Sequence, residues 1–126
     1  TIRTKRIYLP AEKEDGARIL IDRLWPRGIK KEDHRFDEWR KETAPSNELR
    51  RQFNHQPENY DAFQKAYLKE LEHNQAAQDF LTFCSAALKK ENVTLLYSAR
   101  EEERNNAVVL CQWLNHERTG EKKNGK

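Results

Sequence analysis

Two short runs of nearly continuous apolar residues, Ala17-Arg18-Ile19-Leu20-Ile21 and Val93-Thr94-Leu95-Leu96-Tyr97, constrain this chain more than any other feature. Both are bounded by polar turns and too short to stand as helices, so each predicts a strand buried on both faces. The long stretch between them is ample for a crossover that joins parallel strands, and such crossovers are right-handed. Residues 2–9 predict a further strand. Ile2, Thr4, Arg6 and Tyr8 alternate with Arg3, Lys5, Ile7 and Leu9, and Pro10 ends the pattern. The link from there to Ala17 is short for a parallel crossover, so antiparallel pairing of these two strands is a real alternative.

Helical signals fill the middle and the end. Lys30 to Lys41, with Phe36 and Trp39 three apart, predicts a short helix that Ala44-Pro45 breaks. Ser46 is an N-cap type before Leu49 and Phe53, four apart. Pro57 suits the first turn of the longest helix, where Tyr60, Phe63, Tyr67 and Leu71 form one apolar stripe and read as core. A further helix carries Phe80, Phe83, Cys84, Ala87 and Leu88. Ser98-Ala99-Arg100-Glu101 has capping-box form and predicts the start of the last helix, which buries Asn106, Val109, Leu110, Trp113 and Leu114. The fold class expected is α/β: a small, mostly parallel sheet of three strands or slightly more, packed with about five helices in three layers. The domain covers residues 1–116, and the polar tail 117–126 is expected to fray.

Composition narrows the setting. The 126 residues suit one domain. Hydrophobic and charged residues each make up 36%, which gives one modest core beneath a charged surface. Aromatic residues spread along the chain exclude a disordered one. The net charge of +3 is too small to mark a dedicated nucleic-acid binder. Cys84 and Cys111 lack metal-ligand spacing and point to a reducing compartment. No apolar run reaches membrane length, and Thr1 to Arg6 leads into a strand rather than a leader. The expected setting is therefore cytoplasmic with no membrane partner; the oligomeric state is not legible.

Chemistry concentrates in two segments, Asp22–Gly28 and Tyr97–Glu101, each following a buried strand. Ligands of open α/β sheets sit outside the carboxyl ends of the strands. Arg23 and Arg27 lie in the first segment, Arg100 in the second, and Arg104 one turn further on. A guanidinium grips carboxylate or phosphate through two parallel hydrogen bonds and keeps its charge. The Ser98 hydroxyl and the first N–H groups of the last helix would add to such a site. The structural alternative pairs Arg23 and Arg27 with Asp22 and nearby glutamates and leaves Ser98 as a cap. Asp22 is either a general base or the partner of an arginine. Trp25 either stacks on a ligand or fills the gap between loop and helix.

Other catalytic readings are weaker. Ser98 has no G-x-S-x-G around it and no histidine placed beside it, as a nucleophile would need. Cys84 and Cys111 fall among apolar helix positions and read as packing. His34 and His55 lie in polar stretches, and no metal site is expected from them. No glycine-rich phosphate loop is present, and no cofactor is expected.

Three stretches taken together, Lys5-Arg6-Ile7-Tyr8, Arg18 to Gly28 with its Asp-Arg-Leu-Trp-Pro-Arg-Gly segment, and Leu95 to Arg100, resemble the short, YeaO-like branch of the DUF488 family of bacterial and archaeal proteins. Trp39, Ala44-Pro45-Ser46 and Asn105-Asn106 extend the likeness over roughly residues 3 to 115. The resemblance implies a compact α/β domain and brings no activity with it. It carries over Arg6, Asp22, Arg23, Trp25, Arg27, Ser98 and Asn105. The broader family often has a cysteine-rich segment after the last strand, followed by Cys-His-Arg. Here that place holds Tyr97-Ser98-Ala99-Arg100 and Asn105-Asn106-Ala107, so the thiol and imidazole are absent.

Three functions compete. The favoured one is a domain that binds a small anionic ligand through Arg6, Arg23, Trp25, Arg27, Ser98, Arg100 and Asn105, with Asp22 the acid/base candidate if there is chemistry. The second is a nucleic-acid-binding module using Arg3, Lys5, Arg6, Arg18, Lys30, Lys31 and Arg35, with Trp25 for stacking. The third is a non-catalytic protein-interaction domain that presents the Trp25 loop.

Overall fold

The structure, a computed structural model, describes residues 1–124, with side chains described through Thr119. Four strands, β1 (Ile2–Arg6), β2 (Ala17–Leu20), β3 (Glu38–Trp39) and β4 (Val93–Tyr97), form one sheet in the order β1-β4-β2-β3. Every pairing is parallel. Four α-helices accompany it: α1 (Asn47–Phe53), α2 (Tyr60–Glu72), α3 (Gln75–Ala87) and α4 (Asn106–Asn124).

Strand β4 is the centre of the molecule. It is paired on both edges, and all five of its residues are buried, as its apolar run predicts. Its polar member, Thr94, donates its hydroxyl to the Asp15 carbonyl at 2.7 Å, so no polar group is stranded. Side chains then alternate between two cores. Ala17, Ile19, Val93, Leu95 and Tyr97 join residues from all four helices, whereas Leu20 and Leu96 meet Ile7, Ile29, Trp25, Phe36 and Trp39. The helices therefore share the core on one face, and turns with a few large side chains cover the other. This differs from three layers with helices on both sides.

The first two strands are parallel, and β4 lies between them. The antiparallel alternative fails because the two strands are not neighbours. Residues 7–16 return the chain without a helix, through a 3-10 turn at Lys13–Asp15. Gly16 makes the return possible. Its φ of 65° belongs to the left-handed region, and a Cβ there would collide with the Asn92 carbonyl. Lys5, Asp15 and Arg18 seal this corner. The Asp15 carboxylate meets Arg18 Nη1 at 2.5 Å and Lys5 Nζ at 3.1 Å.

Three local expectations change. Lys30–Lys41 forms a 3-10 turn (Lys31–Asp33) and the edge strand β3 instead of a helix, because Asp37 and Arg40 donate their amides to Arg18 and Leu20 on β2. Pro57 opens a 3-10 turn, α2 begins at Tyr60, and α4 rather than α2 is the longest helix among the described residues. Helix α4 starts at Asn106 rather than beside Ser98. The Asn105 side chain takes the Val108 amide at 3.0 Å, and the Ser98 hydroxyl is engaged elsewhere. Helix α4 continues to Asn124, so residues 117–124 of the polar tail are helical, and residues 125 and 126 lie outside the described residues.

Candidate functional site

All strands run the same way, so the segments after β1, β2 and β4 emerge at one edge of the sheet. Asp22 lies at the meeting point. One carboxylate oxygen accepts the Ser98 amide at 2.9 Å and the Ser98 hydroxyl at 2.8 Å, and the other accepts Asn106 Nδ2 at 3.0 Å. A single side chain thus ties the end of β2 to the end of β4 and to the start of α4. Arg6 braces the same turn from below, donating to the Ala99 carbonyl at 2.9 Å and the Ser98 carbonyl at 3.3 Å. Arg6 and Asp22 share the work of fixing the Ser98 turn, and Arg6 does not line the cavity above it.

That cavity has a volume of about 820 Å³. The loop after β2 supplies Asp22 to Trp25 and Arg27, α1 and its exit supply Asn47, Arg50, Arg51, Asn54 and His55, and the segment after β4 supplies Ser98 to Glu101 with Asn105 and Asn106. Five arginines face two carboxylates, Asp22 and Glu101. Asp22 accepts three hydrogen bonds from neutral donors, and Glu101 pairs with Arg104 at 3.4 Å. Five guanidinium charges against two carboxylates leave the hollow net positive among the described residues.

They differ in preparation. Arg23 donates Nε to the Pro45 carbonyl at 3.3 Å and Nη2 to the Ala44 carbonyl at 3.2 Å. Two fixed acceptors hold its plane, and Nη1 remains free for a ligand. Arg27, Arg51 and Arg100 are exposed and their guanidinium groups take no hydrogen-bond partner among the described residues, and Arg50 reaches Asn47 Oδ1 at 3.0 Å. One oriented guanidinium sits among several adjustable ones.

Trp25 belongs mainly to packing. Its ring makes edge contacts with Phe36 at 5.3 Å and Trp39 at 5.6 Å, and Nε1 donates to the Ile29 carbonyl at 2.7 Å. Trp39 Nε1 donates to the Asp22 carbonyl at 2.7 Å, which pins the base of the same loop. Asn105 is 1% exposed and acts as a cap, with its amide nitrogen donating to the Glu101 carbonyl at 2.7 Å. The structure thus brings Asp22, Arg23, Trp25, Arg27, Ser98, Arg100 and Asn105 together around one cavity and sets Arg6 beneath it.

Sequence reasoning missed the contribution of α1. Leu49 and Phe53 mark its apolar face, while Asn47, Arg50, Arg51 and Asn54 recur at helical spacing on the other side and line the cavity. That polar stripe was the available signal. His55 carried none. Its place at the rim depends on Asn54 and His55 both adopting positive φ, 48° and 54°.

The cationic surface drawn for a nucleic-acid binder is largely occupied. Lys5 and Arg18 hold Asp15, Arg3 donates to the Glu14 carbonyl, Arg6 braces the Ser98 turn, and Arg35 reaches the Ile7 and Leu9 carbonyls. Thiol chemistry finds no footing at the cavity. Cys84 is buried, with its thiol pushed up to about 12 by desolvation, and neither Cys84 nor Cys111 lines the hollow. Among the described residues no group of His, Cys, Asp and Glu could hold a metal ion, and no helix is long and apolar enough to cross a membrane.

Comparison with known proteins gives a consistent result. The family model described as the inactive DUF488-N3 subclade matches residues 1–126. The protein named Uncharacterized protein YeaO, from Escherichia coli, is 49% identical over 114 residues, which covers 90% of this chain and 96% of that one. Uncharacterized proteins from Mycobacterium bovis and Mycobacterium tuberculosis are 39% identical over 114 residues, covering 90% of this chain and 93% of theirs. No solved structure matches.

Proposed function

Because the chain belongs to the DUF488 family, in its inactive DUF488-N3 subclade, we propose that it works by binding and not by catalysis, and that the cavity at the strand ends holds a small phosphate- or carboxylate-bearing ligand. The carrying observation is Arg23, its plane set by two backbone carbonyls and its remaining N–H groups free, within a hollow where arginines outnumber carboxylates. A preoriented fork loses little freedom when it grips an anion.

Absence of a reaction is part of the same reading. Asp22 is engaged by three donors at the turn it ties together, which supports a turn-organising role for it over an acid/base one. The Ser98 hydroxyl donates a hydrogen bond to Asp22, and no imidazole is hydrogen-bonded to it among the described residues. A serine nucleophile needs such a base within hydrogen-bond reach.

The test is calorimetric titration of the full chain with inorganic pyrophosphate, beside an Arg23→Gln variant. Binding that weakens about 10- to 100-fold in the variant supports the reading, since a hydrogen bond to a charged group contributes about 1.5–3 kcal/mol. No heat at low salt in the parent chain contradicts it.

A further inference from the structure

The hollow is far larger than the anion its arginines would grip. Its volume of about 820 Å³ lies high in the range of about 300–1,000 Å³ typical of sites for organic ligands. Its wall is also not uniformly polar. Phe53 and Phe63 line it, stacked at 4.4 Å with an interplanar angle of 18°. The exposed His55 ring lies 5.9 Å from Phe53, and Leu24, 62% exposed, stands on the side of the loop after β2.

Asn54 and His55 hold consecutive left-handed backbone conformations, which asparagine and histidine enter more readily than other non-glycine residues. Asn54 closes α1, its amide donating to the Arg50 carbonyl at 3.0 Å. A second left-handed residue is not needed for that closure, and it sets the imidazole beside Phe53 on the lining. The Asn54 carboxamide, a paired donor and acceptor, also lines the cavity and takes no partner among the described residues. The cavity thus has an aromatic and amide end carried by α1 and an anchored guanidinium carried by the loop after β2.

We infer that the ligand is an organic anion of mononucleotide size, its phosphate or carboxylate on Arg23 and its aromatic ring against the Phe53–His55 wall. This rests on the anion-binding reading above and adds the ring to it. The Asn54 carboxamide is the group that reads donors and acceptors on the ring edge.

The experiment titrates the full chain with inorganic phosphate, phenyl phosphate and adenosine monophosphate at one low salt concentration. Both ring-bearing compounds should bind about tenfold tighter than phosphate, the factor expected from a modest stacking contribution. A His55→Ala variant should shrink the ratio of phenyl phosphate to phosphate affinity toward one. Equal affinities for all three compounds in the parent chain would overturn the ring and leave the anion site standing. Absence of binding by any of them would overturn both. A ratio unmoved by His55→Ala, tested with Phe53→Leu as a second variant and unmoved there too, would also reject the proposed wall.

Discussion

Asp22 and Ser98 are joined twice through one carboxylate oxygen, which accepts the Ser98 amide at 2.9 Å and the Ser98 hydroxyl at 2.8 Å. The two residues end neighbouring parallel strands, so the pair is a clasp across the carboxyl edge of the sheet. Its removal should loosen the edge without touching the core. Asp22→Ala is expected to lower unfolding stability by about 2–3 kcal/mol, because it strands donors that a charged acceptor satisfied. Ser98→Ala, which keeps the amide bond and loses the hydroxyl one, should cost about 1 kcal/mol. Urea denaturation of the two variants reads the difference, and equal costs would refute the clasp.

Gly16 gives a sharper stability test. Its φ of 65° and the Asn92 carbonyl against its missing Cβ leave no room for a side chain. Gly16→Ala should destabilise by about 2–4 kcal/mol, well beyond an ordinary surface change. Gly28→Ala has open space around its Cβ and pays only for its φ of 81°, so it should cost less. Thermal denaturation of both variants ranks them.

The corner of Lys5, Asp15 and Arg18 predicts an acid response. Burial is the largest influence on the Asp15 carboxyl and pushes it up, but the Glu12 amide, Lys5 and Arg18 together hold it below the ordinary carboxylate value. The folded form then binds fewer protons than the unfolded one in this range. Stability that is complete above the unfolded value is lost as pH falls through the lowered folded value. Asp15→Asn should therefore flatten the loss of stability below about pH 4. Denaturation midpoints across the acid range provide the check, and an unchanged slope would contradict it.

Cys84 should be inert in the folded protein. Desolvation raises its thiol from 9.0 to about 12, so at pH 8 its thiolate fraction falls by about a thousandfold. Native alkylation followed by mass spectrometry should leave Cys84 unmodified until denaturant is added. Cys111, half-buried with its thiol donating to the Ile2 carbonyl at 3.5 Å, should react first.

Much of the fold was legible because its signals were local. The apolar runs at β2 and β4 and the stripe from Tyr60 to Leu71 name their own elements. Strand β3 was not legible. Glu38 and Trp39 form a strand only because β2 offers them hydrogen-bond partners, a long-range fact. The start of α4 was misplaced for a related reason. Ser98 has the composition of a cap, yet Asp22, distant in sequence, captures its hydroxyl. The arginines at the strand ends were read from position alone, whereas Arg50 and Arg51 needed the packing of α1 to show which way they face.

The most direct test of the anion site is a proton–nitrogen NMR titration of the full chain with inorganic phosphate. Saturable shifts should gather at the amides of Arg23, Leu24, Trp25 and Arg27, of Ser98 to Glu101 and of the α1 exit at Asn54 and His55, and Arg23→Gln should weaken them. Shifts scattered over the surface, or none in the loop after β2, would contradict the account.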